Sequence, residues 1–200
     1  MSQTTRDHLL EAATVLFAER GFYGVSIANI ADEVGLTKQA LLHHFSTKAK
    51  LYGEVLEGIS RDFERVRAQA IAASDDPEAQ LTVYLLAMIS TTPKDAMRSR
   101  LLMRELLDNQ RRASTAGVWY LKAFLEELVA MMRAVPAWRA ASAVEALAAI
   151  YQLLGAINYF AVSEPTLRGI FGDERFGALD DAYGEQLERL IQQVLKRPSR

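Results

Sequence analysis

The chain has 200 residues, half of them hydrophobic, with 23 Lys and Arg against 25 Asp and Glu and no cysteine. That is length enough for a sizeable core in one or two domains. The composition excludes a disulfide framework, a thiolate metal site, a generally basic nucleic-acid coat and a disordered or fibrous chain. The N-terminal MSQTTRDH has no apolar signal-peptide region, and the longest apolar run, Ala146 to Val162, is interrupted by Gln152 and Asn158. It falls short of the ~18 uninterrupted apolar residues that span a bilayer, so the expectation is a cytoplasmic protein with no membrane partner.

The first helix is expected from Thr5 or Arg6 to Arg20, with Leu9, Leu10, Ala13, Leu16 and Phe17 as its apolar stripe. Gly21 stops it. Gly24 reads as a turn residue rather than a phosphate cradle, because no Lys-Ser or Lys-Thr pair follows. Ser26 can cap a second helix whose apolar positions are Ile27, Ile30, Ala31 and Val34. Gly35 then tolerates the left-handed conformation that follows a helix, and Thr37 is placed to cap a third.

At about 100° per residue, that third helix puts Leu41 and Phe45 on one face, with His44 and Thr37 at its edge. Lys38, Gln39, Leu42, His43 and Ser46 share the other. A cation, an amide, an imidazole and an apolar contact are the groups that read base edges in a major groove. Ser46 or Thr47 caps the next helix, and Lys48 and Lys50 stand in its first turn, where cations oppose the helix dipole. A phosphate within reach of Lys48 would account for that placement. Helix pairs turning at a glycine also occur in proteins that bind no nucleic acid, so the turn alone leaves both readings open. Residues 1–52 have no net charge, which puts weight on where the cations lie rather than on their number.

From Thr5 to Leu51 the chain closely resembles the N-terminal domain of TetR-type transcriptional repressors. The matching features are Ala12-Ala13, Leu16-Phe17-Ala18, Gly21-Phe22, Ser26, Ile30-Ala31, Gly35-Leu36-Thr37, and His44-Phe45 followed by Lys48. The resemblance implies that Ser26, Thr37, Lys38, Gln39, His43, His44 and Lys48 face DNA, with Leu41 and Phe45 in the core. Leu42 departs from the pattern, since the family usually holds there a Tyr whose hydroxyl reaches a phosphate. A Leu can instead meet a thymine methyl or a sugar.

Beyond the head, a long helix from Lys48 to about Ala73 is a natural lever, with Leu51, Val55, Ile59, Phe63 and Val66 at helical spacing. Asp75-Asp76-Pro77 reads as a cap and first turn rather than a metal site, opening a helix that runs to about Ser90. The next is expected over Asp95 to Asp108, with Leu102, Met103 and Leu106 buried and Arg104 paired to Asp108 on the opposite side. A loop over Asn109 to Ser114 should precede a helix from about Thr115 to Ala134. Ser142 to Ser163 is apolar nearly all round, as expected of a helix buried on several sides, and its small residues Ala146, Ala149, Gly155 and Ala156 would allow close approach. Glu164-Pro165 is expected to end it, Thr166 to Phe171 to form a short helix, Gly172 to Asp180 a polar loop, and Leu179 to Lys196 the last helix.

The chain contains no dinucleotide glycine fingerprint, phosphate-binding loop, nucleophile elbow or His pair at metal spacing, so neither enzyme chemistry nor a cofactor is expected. The expected architecture is all-α, with a three-helix helix-turn-helix domain over residues 1–52 and a helical effector-binding and dimerisation domain over 53–200. Two subunits joined through their last two long helices would bind a palindromic duplex operator with half-sites about 34 Å apart. The family resemblance adds a small-molecule pocket in the C-terminal helices, whose occupancy releases the operator. Candidate walls are Tyr84, Met88, Met103, Trp119, Phe124 and Tyr151, with Arg104 and Asn158 as polar anchors, and the apolar majority suggests a largely hydrophobic effector. An architectural or protein-interaction module that retains the head without an effector is the rival reading.

Overall fold

A computed structural model describes residues 4–89, 92–116 and 121–196, with backbone only at 93–94 and 108–116. Among the described residues the secondary structure is entirely helical. The helices are α1 Thr5–Arg20, α2 Ile27–Glu33, α3 Lys38–Phe45, α4 Lys48–Ala73, α5 Pro77–Leu86, α6 Pro93–Ala116, α7 Leu121–Ala134, α8 Ala143–Phe171 and α9 Asp173–Lys196, with a 3₁₀ turn at Pro136–Trp138.

Short polar side chains set most of the starts. Thr4 and Asp7 form a reciprocal capping box on α1, Ser26 and Asn29 on α2, and Ser142 and Glu145 on α8. Thr37 caps α3, Thr47 accepts from the Lys50 amide at the start of α4, and Asp76 caps α5 with Pro77 in its first turn.

Five boundaries differ from the sequence reading, one of them the start of α7 at Leu121 rather than near Thr115. The helix α5 stops at Leu86, before Ser90. The helix α6 continues through Asn109–Ser114 to Ala116, because that stretch is polar but holds no Gly or Pro to break it. Trp119 lies outside the described residues, as does the side chain of Asp108, so the Arg104–Asp108 pairing is not described.

The other two differences adjoin Pro165, which α8 passes to reach Phe171. An interior Pro removes one backbone hydrogen bond, but here Arg168 reaches back across it, its Nε donating to Glu164 Oε1 at 2.8 Å while its Nη1 donates to Asp173 Oδ1 at 3.0 Å. Gly172, at φ 77°, turns the chain straight into α9. The expected polar loop is the first turns of that helix, where Asp173 and Glu174 complement the dipole.

The chain forms two compact units, Met1–Asp62 with Met97–Tyr120, and Phe63–Ala96 with Leu121–Arg200. In the first, Leu9, Ala13 and Phe17 of α1, Ile30 and Ala31 of α2, Leu41 and Phe45 of α3, Leu51 and Val55 of α4 and Leu101 of α6 share one core. In the second, α8 packs against α7 and α9, burying Leu128, Met132, Ile150, Leu153, Leu187 and Ile191. Phe160 stacks on Tyr183 with centroids 3.8 Å apart, and the Tyr183 hydroxyl donates to Ala156 O at 2.8 Å. Trp138 Nε1 donates to Val194 O at 3.0 Å, tying the 3₁₀ turn to α9.

The helix α8 is long and apolar enough to cross a membrane by length and composition alone, and a third of its most apolar window is buried inside the protein.

Candidate nucleic-acid interface

The angle between α2 and α3 is set by a Schellman ending on α2. The Leu36 amide donates to Ala31 O at 2.8 Å and the Gly35 amide to Asp32 O at 3.1 Å, with Gly35 at φ 68°. Leu36 then folds against the same core as Ile30 and Ala31. The turn and the core therefore fix the direction in which α3 leaves α2.

That direction divides α3 sharply. Leu41 is fully buried and Phe45 nearly so, whereas Thr37, Lys38, Gln39, His43 and His44 are exposed and Leu42 is half-buried. The rings of His43 and His44 meet edge to face, 5.8 Å apart. Ser26 and Thr37 are exposed but engaged as caps. Ser26 Oγ accepts from the Asn29 amide at 3.1 Å and donates to Asn29 Oδ1 at 2.7 Å, and Thr37 Oγ1 accepts from the Ala40 amide at 3.2 Å. An oxygen so placed retains a second lone pair, and the amides of the helix start beside it suit a phosphate.

Lys48 has a different setting from the one expected. Its ammonium donates to Phe22 O and to Val25 O, both at 2.9 Å, and lies 4.3 Å from the Phe22 ring centre. Partial burial pulls its pKa below the ordinary lysine value. The side chain thus clamps the α1–α2 loop, which explains a cation in the first turn of α4 without any phosphate. Arg6 is also engaged within the unit, paired with Glu54 and placed over the Phe45 ring.

A third cation is committed in the same way. Arg104 of α6 donates through Nε to Ala18 O at 3.1 Å and through Nη2 to Glu19 O at 2.6 Å, two of the carbonyls that α1 leaves unpaired at its C-terminus. Next to it, buried Glu105 accepts from the Tyr52 hydroxyl at 2.9 Å. The buried side of α6 is that of Leu101, Leu102 and Glu105, while Leu106 is exposed, so the expected apolar face is shifted. Arg104 thus ties α6 to the end of α1 within the first unit. Sequence reading missed this because the link spans 86 positions and has no local signature.

The remaining effector candidates are scattered. Met103, half-buried, belongs with Arg104 to the first unit, whereas Tyr84, Met88, Phe124, Tyr151 and Asn158 belong to the second. Tyr151 is 52% exposed on the outer side of α8, which removes it as a wall of an internal pocket. Asn158 donates to Leu154 O of its own helix at 2.9 Å, so its amide nitrogen is already engaged. Tyr84 and Met88 are buried, and Phe124 stacks on Phe63 at 4.9 Å. Tyr84 lies near the Arg67–Glu127 ion pair, neither member of which was singled out from the sequence.

Residues 9–55 match the model of the family described as bacterial regulatory proteins, tetR family. The HTH-type transcriptional repressor KstR2 of Rhodococcus jostii is 32% identical over 111 residues, 53% of this chain and 53% of that protein. The HTH-type transcriptional activator FasR of Mycolicibacterium smegmatis is 31% identical over 97 residues, 48% of this chain and 44% of that protein. The chain thus spans about half the length of the curated relatives it matches. Among solved structures, the fatty acid degradation regulator FadR of Bacillus halodurans superposes with a TM-score of 0.69 at 15% identity, covering 98% of this chain and 96% of that one. That likeness establishes a shared fold over nearly the whole chain.

Proposed function

We propose, from the premise that its N-terminal domain belongs to the tetR family of bacterial regulatory proteins, that this chain is a cytoplasmic, ligand-responsive, one-component transcriptional regulator. It acts as a repressor, binding a palindromic operator as a homodimer. Residues 1–52 read DNA, and 53–200 bind the effector and dimerise. The observation that carries this reading is the division of α3: a helix held to its own core by Leu41 and Phe45 presents Lys38, Gln39, His43 and His44 outward together. Ser26, Thr37 and Leu42 complete the contact surface, the first two at helix starts and the last through apolar contact. The proposed role of Lys48 is to fix the loop that aims α2, not to carry a phosphate.

Dimerisation uses the outer side of α8 and the adjoining α9. Val144, Leu147, Tyr151 and Tyr159 on α8 and Leu190 on α9 are exposed large hydrophobics, the first three at helical spacing, and Gly155 lies beside them with open space above its Cα. Ala146 and Ala149 are buried, so the close approach they permit is within one chain. Effector binding favours a state whose heads are spaced wrongly for the operator, which requires different affinities for the two states.

Selection of bound sequences from random duplexes tests the reading. Enrichment of a palindrome with half-sites about one helical turn apart is expected. Gln39→Ala should relax base preference at one position per half-site. Absence of any enrichment at low salt would remove the regulator reading, and a monomer by sedimentation at micromolar concentration would remove the palindrome.

A further inference from the structure

The second unit contains two buried hydrogen-bond donors without partners. Tyr84 of α5 is fully buried, and its hydroxyl finds no hydrogen-bond partner among the described residues. The Nε of Arg67, on α4, is likewise buried and unsatisfied. It lies 2.7 Å from Glu127 Oε1 of α7, so the two attract by charge, but its N–H is not directed along that line. Burying such groups unpaired is costly, and native structures keep few of them.

The three side chains belong to one electrostatic neighbourhood. Burial raises the Tyr84 pKa first, then the carboxylates of Glu127 and Glu64 raise it further, against the opposing Arg67 guanidinium. Close by in the chain, Phe63 of α4 and Phe124 of α7 stack with centroids 4.9 Å apart and planes 21° from parallel. Arg67 and Glu127 keep about a third of their side-chain surface open, while the Arg67 Nε and the Tyr84 hydroxyl themselves are buried.

We propose that Tyr84 and Arg67 form the polar end of the effector site and together hold an uncharged hydrogen-bond acceptor, a ketone-, amide- or ester-type carbonyl on a mainly apolar molecule. This rests on the regulator reading above and replaces Arg104 and Asn158 as anchors. Two unpaired donors call for an acceptor, which disfavours an ammonium, since that would bring only further donors. The Tyr84 hydroxyl feels two carboxylates, Glu127 and Glu64, against the one guanidinium of Arg67, so an anionic headgroup beside it would meet net repulsion. A neutral carbonyl supplies the acceptor that both donors lack and adds no charge.

The test uses four probes of one skeleton: 4-phenyl-2-butanone, 4-phenylbutanoate, 4-phenylbutylamine and butylbenzene. Each is titrated by calorimetry or ligand-observed NMR against the full chain, without DNA. The ketone should bind tightest. Tyr84→Phe, which deletes only the hydroxyl, should weaken the ketone roughly three- to tenfold, the loss of one hydrogen bond, and leave butylbenzene unchanged. Because the deleted group has no partner in the free protein, Tyr84→Phe should melt at or above the wild-type temperature. Tighter binding of the acid or the amine, no ketone binding up to millimolar concentration, equal ketone affinity in the variant, or a lowered melting temperature would each overturn the proposal. Capture of a selected duplex is measured separately on the wild type, so loss of the regulator reading is visible apart from this result.

Discussion

Replacing Lys48 by Met keeps the aliphatic stem and deletes the ammonium, so it isolates the clamp on the α1–α2 loop. Two hydrogen bonds to carbonyls are lost, at Phe22 and Val25, together with the cation over the Phe22 ring. For a partly exposed group the bonds contribute about 1 kcal/mol each and the ring contact about 0.5–1 kcal/mol. The same burial that lowers the Lys48 pKa offsets part of that gain, leaving a net loss of about 1–2 kcal/mol. For a chain of this length the melting temperature should fall by about 2–8 °C. Thermal unfolding followed by circular dichroism reads this directly. A parallel salt titration of operator binding decides what the residue does. A clamp leaves the slope of log affinity against log salt unchanged, whereas a lost phosphate contact reduces its magnitude by about 0.9 per subunit. An unaltered melting temperature with a flattened slope would refute the structural role.

Gly35→Ala tests the α2–α3 turn: a Cβ there meets nothing within 4 Å, so only the positive φ is penalised, by about 1 kcal/mol, and the melting temperature should drop by about 2–4 °C. No change would mean that Gly35 does not hold that φ. Tyr84 titrates above its ordinary value, so below pH 10 it is neutral in folded and unfolded chains alike and gives no pH dependence. Above that, only the unfolded chain releases the proton, and stability falls by up to about 1.4 kcal/mol per pH unit. Urea unfolding between pH 9 and 11 should show Tyr84→Phe with a correspondingly shallower alkaline decline, and an equal decline would place the hydroxyl in water.

The head was legible in the sequence because its determinants are local. Ser26, Gly35 and Thr37 mark ends that follow from hydrogen bonding within a few residues, and the division of α3 follows from helical periodicity. What could not be read is which polar groups are already engaged. Lys48 reaches carbonyls more than 20 positions back, and Arg104 reaches α1 from a helix of the other half of the sequence. Both carry a charge that invites a ligand, and only the tertiary arrangement shows it committed. Segment boundaries failed where polarity was taken for a loop. Asn109–Ser114 and Asp173–Asp180 are polar helix, and α8 continues through Pro165 with Arg168 paired back to Glu164 across it.

These commitments alter the electrostatics expected of the DNA complex. Of the Lys and Arg residues in 4–52, Arg6 and Lys48 are held within the unit, leaving Arg20, Lys38 and Lys50 without a partner among the described residues. If all three neutralise a phosphate, two heads release at most about six condensed counterions, and the slope of log affinity against log salt should be no steeper than about −5. Affinity must then depend more on helix-start amides, which are unaffected by side-chain charge, and on base contacts from Gln39 and His43. A titration of the selected operator between 50 and 300 mM salt measures this. A slope near −8 would require more cations than the head has free, and would mean that Lys48 or Arg6 leaves its intramolecular partner on binding.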